Sequence, residues 1–219
     1  MTHQPNTFDK WALTYDKDLE KANDSDDWMF GDYYCILDKV VEYCELEKYE
    51  NPQVLDIGAG TGNLSIKFLE KKLMVTAIDP SKKMREICKG KYPDLVVLQG
   101  DFLDIPLPSE SIDIIVSSFA FHHLTETEKA VSVLLMRDIL HSGGRIVIAD
   151  LMFKNPVEKD RIRKKLLDPE QARKFDEIDE EYPAYFDDLE MVFQRKGFNF
   201  RGEPLTKSVW ILCACLGYR

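Results

Sequence analysis

The chain has 219 residues, of which 44% are hydrophobic and 31% are charged, and its formal net charge is −10 at neutral pH. This composition is typical of a globular protein and excludes a chain too polar to bury a core. The acidic balance argues against nucleic acid as a partner, because contacts to phosphate need clustered Lys and Arg side chains. The length suits one α/β domain with an appendage.

The amino terminus and the cysteines predict a cytoplasmic protein that does not enter a membrane. The first residues carry no basic segment followed by an apolar one, so we expect no secretory signal. No stretch reaches the roughly 18 apolar residues that a membrane span needs. The five cysteines are odd in number and irregularly spaced, which predicts reduced thiols instead of a disulfide framework.

Residues 1–48 are predicted to form a helical appendage, since apolar residues recur on one helical face from Tyr33 to Cys44. Asn51-Pro52 should end this part of the chain. Strands and helices then alternate, which predicts right-handed βαβ units and a parallel sheet covered on both faces. The predicted strands are residues 53–57, 73–78, 95–98, 112–116 and 145–150.

Capping and breaking residues predict where the helices between these strands begin and end. Ser81 is a predicted N-cap, and Gly90 is expected to end the helix that Ser81 begins. Thr125 and Glu128 have the spacing of a capping box. The helix that follows them is expected to run to Gly143-Gly144.

The last third of the chain changes in character. Between residues 154 and 181, 17 of 28 residues are charged, which predicts two solvated helices. Asn155-Pro156 and Asp168-Pro169 each have the pattern of an N-cap followed by proline at the first helical position. A further helix is expected from Asp187 to Gly197, and residues 198–200 and the apolar run 209–216 are expected to be strands.

The glycine-rich turn after the first predicted strand carries the strongest functional signal. Gly58, Ala59 and Gly60 follow Asp56, and glycines at alternate positions let the backbone turn tightly and approach a ligand. In a parallel sheet this turn lies at the carboxyl ends of the strands, where ligands bind. The dinucleotide fingerprint needs glycine where this chain has Asn63, which argues against a pyrophosphate site.

Two acidic residues at the ends of the next two strands add to this signal. Asp79, followed by Pro80, lies 21 residues after Gly58, a spacing at which a carboxylate can accept both hydroxyls of a ribose. Asp101 can accept from an adenine amino group, and Phe102 beside it can pack on the ring. Three successive strand ends that each carry a residue able to bind the ligand are a far more specific signal than one such strand end.

On these residues the sequence resembles the small-molecule branch of the class I S-adenosylmethionine-dependent methyltransferases. Residues 56–62 match motif I, Asp79 matches motif II and Asp101-Phe102 matches motif III. Residues 117–124 match the segment after the fourth strand, where Ser118 and Phe119 would face the methyl group. The stretch 8–16 resembles the start of uncharacterised bacterial methyltransferases of the YrrT-like kind.

The resemblance implies an α/β, Rossmann-like methyltransferase fold. Its mostly parallel seven-stranded sheet would carry helices on both faces and end in an antiparallel hairpin. Residues 1–48 would form an N-terminal helical cap on the domain of residues 49–219. The implied cofactor is S-adenosylmethionine, and the residues expected to bind it are Asp56, Gly58, Ala59, Gly60, Asp79, Pro80, Asp101, Phe102 and Ser118.

Three residues are candidates for a catalytic role, and none is assigned one. His122 and His123 could act as general bases because imidazole titrates near neutrality, or they could pack at the start of the helix after Thr125. Tyr15, on the appendage, could line the pocket or pack as part of an amphipathic helix. No Cys, Asp or Glu stands at ligand spacing from the two histidines, so no metal site is predicted.

The predicted function is transfer of a methyl group to a small-molecule acceptor by in-line displacement, with S-adenosylhomocysteine as the product. Such an enzyme acts by positioning its reactants and excluding water. Two alternatives stay open: a non-catalytic sensor of S-adenosyl ligands, and a nicotinamide-dependent oxidoreductase, against which the glycine spacing counts. The acceptor, its reacting atom and the oligomeric state are not predicted.

Overall fold

Apolar strands that are buried on both faces form the central sheet. The computed structural model describes residues 5–23, 30–178 and 181–217. Seven strands lie in the order β3-β2-β1-β4-β5-β8-β7, and a short eighth strand, β6, pairs with β5 off this path. The strands are β1 Gln53–Ile57, β2 Met74–Asp79, β3 Val96–Gln99, β4 Ile112–Ser118, β5 Leu140–Phe153, β6 Ala184–Tyr185, β7 Phe198–Pro204 and β8 Val209–Leu216.

The directions of the strands confirm the predicted sheet. β1 to β5 pair in parallel, whereas β8 is antiparallel to both β5 and β7. The parallel strands therefore share one carboxyl edge, where the turns after β1, β2, β3 and β4 meet. The hairpin expected at the end of the chain is formed by β7 and β8, and β6 was not predicted.

Helices lie before the sheet, between its strands and on both of its faces. In the described ranges, no helix combines the length and the apolar character that crossing a bilayer requires. Of the predicted appendage 1–48, residues 1–4 and 24–29 lie outside the described part. The helices are α1 Pro5–Trp11, α2 Tyr15–Asn23, α3 Tyr33–Tyr43, α4 Ser65–Leu69, α5 Lys82–Lys91, α6 Glu126–Ile139, α7 Pro156–Lys165, α8 Pro169–Ile178 and α9 Phe186–Arg195.

The predicted N-caps of α5 and α6 are confirmed. The Ser81 side chain accepts from the backbone N–H of Met84, and Thr125 and Glu128 form the complete capping box. The predicted end of α5 at Gly90 is wrong, because the helix continues to Lys91. Gly90 has open space around it. Glycine therefore destabilises the helix there only through the larger loss of its backbone entropy on folding.

Three other predicted boundaries differ from the structure. The helix predicted before Asn51 already ends at Tyr43, and α9 begins at Phe186, one residue before Asp187. α6 ends at Ile139 instead of Gly143-Gly144, because the chain from Leu140 already pairs with β4.

The charged segment forms the two predicted helices, and both predicted N-caps are confirmed. Asn155 accepts from the N–H of Glu158, and Asp168 accepts from the N–H of Glu170. The expectation of two solvated helices is wrong for α8, which buries Phe175 against Phe153. Residues 179 and 180 of this segment lie outside the described ranges.

The core has two halves, one on each face of the sheet. Alternate residues of β5 divide between them: Val147 and Ala149 pack on one side, Ile146 and Ile148 on the other. The first half contains the buried faces of α3 and α4, and the second contains those of α6 and α9. Burial on both faces explains why these strands read as nearly continuous apolar runs.

Candidate active site

A cavity of about 490 Å³ opens at the carboxyl edge of the parallel strands. Its volume falls in the range of about 300–1,000 Å³ that is usual for small-molecule sites. The turn after β1, the ends of β2 and β3, the segment after β4 and the N-terminal helices all contribute to its wall. The lining residues are Phe8, Trp11, Tyr15, Phe30, Gly58, Gly60, Asp79, Pro80, Met84, Asp101, Phe102, Leu103, Phe119, Ala120, His122, His123, Leu124, Glu128 and Glu181.

The glycine turn needs glycine for two separate reasons. Gly58 and Gly60 have φ angles of 71° and 55°, in the left-handed region where other residues are strained. A Cβ atom at Gly58 would also overlap the side chain of Ala120. The backbone N–H groups of Gly58 and Ala59 donate to Ile78 of β2, which holds the turn against the sheet.

Asp79 joins the end of β2 to this turn. Its Oδ2 accepts from the N–H of Gly60 at 2.9 Å, and its Oδ1 accepts from the N–H of Ser81 at 2.8 Å. Burial raises the pKa of Asp79 to about 6, although the two N–H donors oppose the shift. Each carboxylate oxygen can accept a second hydrogen bond, and the residue lines the cavity beside Pro80.

Asp56 lies behind the glycine turn and is not among the lining residues. One of its oxygens accepts from the Ser65 hydroxyl at 2.6 Å, and the other is buried without a hydrogen-bond partner. Burial raises the pKa of Asp56 to about 7. A buried carboxylate oxygen without a donor is costly, so this atom is available to a ligand or a water molecule.

The end of β3 places Asp101 and Phe102 on the cavity wall, as the sequence predicted. Asp101 Oδ1 accepts from the N–H groups of Leu103 and Asp104 at 2.7 and 3.0 Å, so this side chain also stabilises its own turn. The Phe102 ring is buried and packs edge-on against Phe121.

Besides Asp56, two predicted cofactor residues lie off the cavity wall. Ala59 and Ser118 are absent from the lining, whereas Gly58 and Phe119 line the cavity as predicted and Ala120 lines it in addition. Phe119 has a φ angle of 52° and packs against Phe30. This left-handed residue turns the chain at the end of β4, which moves the cavity-facing positions one and two residues beyond Ser118.

His122 lines the cavity, and its ring is held from behind by Asp150. The Nδ1 atom lies 2.5 Å from Asp150 Oδ1, and the Oδ2 atom of the same carboxylate accepts from the N–H groups of Phe121 and His122. Both side chains are almost fully buried. Burial opposes ionisation of Asp150, but the adjacent His122 and its hydrogen bond lower the pKa of this carboxyl.

His123 and Glu181 complete this end of the cavity. Glu181 Oε2 lies 3.4 Å from His123 Nδ1 and 4.0 Å from His122 Nε2. Burial lowers the pKa of His123 to about 4, with the neighbouring His122 acting in the same direction. His123 is therefore neutral near pH 7 and can accept a hydrogen bond.

The N-terminal helices form the wall opposite the sheet. Tyr15 lines the cavity, and its ring contacts Trp11 edge-on. Burial raises the pKa of Tyr15 far above its usual value, so the phenol stays protonated. Tyr15 is thus suited to donating a hydrogen bond and unsuited to removing a proton.

Two carboxylates of these helices bind them to the carboxyl edge of the parallel strands. Asp16 accepts from the Thr61 hydroxyl at 2.6 Å, from Asn63 at 3.1 Å and from Lys91 at 2.8 Å. Asp9 accepts from the Ser81 hydroxyl at 2.5 Å. The N-terminal segment is therefore bonded directly to the glycine turn and to the start of α5.

Sequence reasoning missed Asp150, Glu181, Phe8, Trp11 and Phe30. Asp150 is the last residue of the fifth predicted strand, so a search for acidic residues at strand ends, which selected Asp79 and Asp101, would have found it. Glu181 gave no signal, because it is one of many charges in its segment and stands 58 residues after His123.

Comparisons with known proteins agree with this geometry. A family model described as a methyltransferase domain matches residues 55–148. An uncharacterised methyltransferase of Alkaliphilus oremlandii is 34% identical over 210 residues, which cover 96% of this chain and 96% of that protein. The chain belongs to the class I methyltransferases. The sheet order, with its single reversed strand next to β5, is thus explained by membership of this family.

Solved structures share the methyltransferase fold. A chain from the complex between the Haloferax volcanii Trm112 methyltransferase activator and a methyltransferase superposes with a TM-score of 0.70 at 16% identity, covering 97% of this chain and 96% of that one. A SAM-dependent methyltransferase from Aquifex aeolicus gives 0.60 at 20% identity, with coverages of 82% and 89%. At these identities the likeness shows the fold alone.

Proposed function

We propose that this methyltransferase uses S-adenosylmethionine to methylate a small-molecule acceptor. The observation that carries the proposal is Asp79, a buried carboxylate on the cavity wall that bonds the glycine turn and keeps acceptor capacity on both oxygens. When bound, S-adenosylmethionine supplies a methyl group on a positively charged sulfur, which is already a strong electrophile.

The residues present fit this cofactor. Asp79 suits the ribose hydroxyls, and Asp101 with Phe102 suits the adenine ring. The methionine portion would lie along the Gly58–Gly60 turn, with the unpartnered oxygen of Asp56 reached directly or through a water molecule. In this proposal Ala59, Pro80 and Ser118 shape the turn and the strand ends around these groups.

Aromatic side chains give the reacting region an apolar wall. Phe8, Trp11, Phe30 and Phe119 line the cavity between the glycine turn and the histidines. Aromatic faces attract a cationic group and also exclude water. We infer that the N-terminal helices act as the predicted cap, because Asp16 and Asp9 bond them to the edge that would bind the cofactor.

The acceptor would occupy the end of the cavity that contains His122, His123 and Glu181. The cavity is bounded by the N-terminal helices and the chain is acidic overall, which supports a small molecule over a nucleic acid. A proton lost by the acceptor would be taken up by a residue at this end of the cavity, because Tyr15 stays protonated and cannot accept it. The rest of the catalytic effect comes from holding the reactants in line in a dry site.

Calorimetric titration of the purified chain with S-adenosylmethionine, S-adenosylhomocysteine and NAD tests the cofactor. We expect binding of the two S-adenosyl ligands alone, lost in Asp79→Ala and retained in Asp94→Ala, a matched change of an exposed aspartate. Binding of NAD alone, or of none of the three, would overturn the proposal.

A second assay separates an enzyme from a sensor and tests the size of the acceptor. Methyl-labelled S-adenosylmethionine is incubated with the protein and with either the low-molecular-weight fraction or the macromolecules of a cell extract. We expect label to enter the low-molecular-weight fraction only. Label in nucleic acid or protein would contradict the small-molecule acceptor, and cofactor binding without transfer to either fraction would favour the sensor.

A further inference from the structure

Two histidines and a glutamate bring three metal-binding atoms together at the acceptor end of the cavity. One ligand atom each from His122, His123 and Glu181 lies within 4.8 Å of the others. All three residues line the cavity, and His122 is almost completely buried. The sequence predicted no metal here because no carboxylate was expected at ligand spacing from the histidines; the fold supplies Glu181.

Asp150 prepares His122 to act as a ligand. The 2.5 Å contact between Asp150 Oδ1 and His122 Nδ1 places the ring proton on Nδ1. The lone pair is then on Nε2, the atom that faces Glu181. Histidines that bind metals nearly always donate their other N–H to a carboxylate, a carbonyl or a water molecule, which fixes the ring and its tautomer.

Lys129 holds the segment that carries Glu181. Its buried Nζ donates to the carbonyl oxygens of Leu124 and Tyr182, and so ties the residue after Glu181 to the start of α6. The ring of His123 is packed against Phe8, with 4.8 Å between the centroids. All three side chains therefore sit on fixed parts of the fold.

We propose that His122, His123 and Glu181 bind a divalent transition-metal ion, with Zn²⁺ as the best fit. Two imidazoles and one carboxylate are a donor set that suits this ion, and three protein ligands leave a position open toward the cavity. Zinc–ligand bonds of about 2.0–2.2 Å place tetrahedral ligand atoms about 3.4 Å apart. The 3.4 Å between Glu181 and His123 already matches, whereas the 4.0 Å between Glu181 and His122 Nε2 must shorten when the ion binds.

The open position would accept an oxygen, nitrogen or sulfur atom of the methyl acceptor. A hydroxyl or thiol coordinated to the ion would have a lowered pKa and would lose its proton to water more readily. The deprotonated atom would then have a lone pair with which to attack the methyl carbon. This consequence rests on the proposed methyl transfer, whereas binding of the ion does not. The inference therefore narrows the acceptor to molecules with a metal-binding donor atom.

Calorimetry of the chelator-stripped full chain with Zn²⁺ tests the site. We expect one ion per chain, and no one-to-one binding in His123→Asn or Glu181→Gln. Asp150→Asn should weaken binding about 10- to 100-fold, the usual effect of removing a carboxylate behind a ligand histidine. Loading with Co²⁺ should give visible absorption bands that the two ligand variants lack.

Two control variants test two other zinc-binding groups among the described residues. The Cys213 and Cys215 sulfurs lie 3.8 Å apart, and His141 lies outside the cavity lining. Cys215→Ser and His141→Asn should bind Zn²⁺ like the wild type. Absence of one-to-one uptake, or its loss in a control while Glu181→Gln retains it, would overturn the proposal.

Parallel titration with S-adenosylmethionine separates this inference from the proposed function. Glu181→Gln should keep its affinity for S-adenosylmethionine and its thermal unfolding midpoint, which shows that the variant is folded. Cofactor binding without Zn²⁺ uptake overturns the metal site alone. Zn²⁺ uptake without cofactor binding supports the metal site and contradicts the proposed function.

Discussion

The two ends of the cavity are built in different ways. At the cofactor end, the glycine turn, Asp79 and Asp101 follow three consecutive strands, so their spacing along the chain fixes their positions in space. At the acceptor end, His122, Asp150 and Glu181 come from three distant segments and meet only after the sheet, α6 and the segment before β6 have packed. The residue positions at the first end can therefore be predicted from local sequence, whereas those at the second end depend on tertiary structure.

The largest expected loss of cofactor binding follows from adding one methyl group to the glycine turn. Gly58→Ala would force a side chain into the left-handed region, at about 1–2 kcal/mol, and into Ala120. We expect loss of measurable S-adenosylmethionine binding and a lower free energy of unfolding, by about 2–4 kcal/mol with the overlap included. Calorimetry and urea denaturation measure the two effects.

Gly90→Ala is the matched control for this prediction. Gly90 lies in α5 with nothing within 4 Å of an added Cβ. Alanine should stabilise the helix by about 0.5–1 kcal/mol and leave cofactor affinity unchanged. Equal affinities in wild type and Gly58→Ala would show that the turn does not approach the ligand.

A substitution that disrupts the acceptor end of the cavity should leave cofactor binding at the other end largely unchanged. Asp150→Ala removes the acceptor for four buried donors: the His122 ring and the N–H groups of Phe121, His122 and Leu151. We expect a free energy of unfolding lower by about 3 kcal/mol, since buried donors without partners cost about 1–3 kcal/mol each before relaxation. S-adenosylmethionine affinity should change by less than about threefold, or under 0.7 kcal/mol.

Chemical denaturation and calorimetry on the same protein sample test this separation. Asp138→Ala, at an exposed carboxylate that bonds only at the surface with Ser109, serves as the control and should be nearly neutral. A large loss of cofactor affinity in Asp150→Ala would mean that the two ends are one cooperative unit.

The contrast between the ends also explains how far the sequence could predict this protein. The parallel strands and the capping box of α6 were predicted because periodicity and caps are local signals, and the terminal hairpin was implied by the family resemblance. The end of α5 was misplaced because Gly90 is tolerated there. Asp79 and Asp101 were placed on the cavity wall by the strand-end rule.

What the sequence could not provide depends on contacts between distant segments. The left-handed backbone of Phe119 takes Ser118 off the cavity wall and adds Ala120 beside the predicted Phe119, and nothing in the sequence marks that backbone angle. Glu181 lies beside the histidines where Lys129 anchors the carbonyl of the next residue, Tyr182. Such residues are found by structure, since their positions follow from packing and not from spacing.

The charge on Asp79 gives the cofactor end a pH dependence. Its pKa is raised to about 6, so the carboxyl is ionised at pH 8 and becomes protonated as the pH falls through 6. Protonation removes its charge and part of its capacity to accept from ribose hydroxyls. We expect S-adenosylmethionine affinity to fall about tenfold from pH 7.5 to pH 5, in proportion to the protonated fraction.

Calorimetry in buffers of equal ionic strength measures this profile. In Asp79→Asn, which cannot ionise, affinity should be lower at pH 7.5 and nearly flat over the same range. A profile that keeps its slope in this variant would assign the titration to another group, for which Asp56 with its pKa near 7 is the first candidate.

The smallest expected effect concerns the N-terminal helices, which touch both ends of the cavity. Asp16 accepts from Thr61, Asn63 and Lys91, and these bonds lower its pKa although burial opposes them. Asp16→Ala should cost about 1–2 kcal/mol of stability and weaken S-adenosylmethionine binding only severalfold, because the ligand groups of the sheet stay in place.

Asp16→Ala should also speed proteolysis within residues 5–23, and bound cofactor should slow that cleavage in the wild type. Lys17→Ala, an exposed neighbour on α2, should change neither rate. Cofactor protection of the sheet without protection of residues 5–23 would show that these helices do not close over the site.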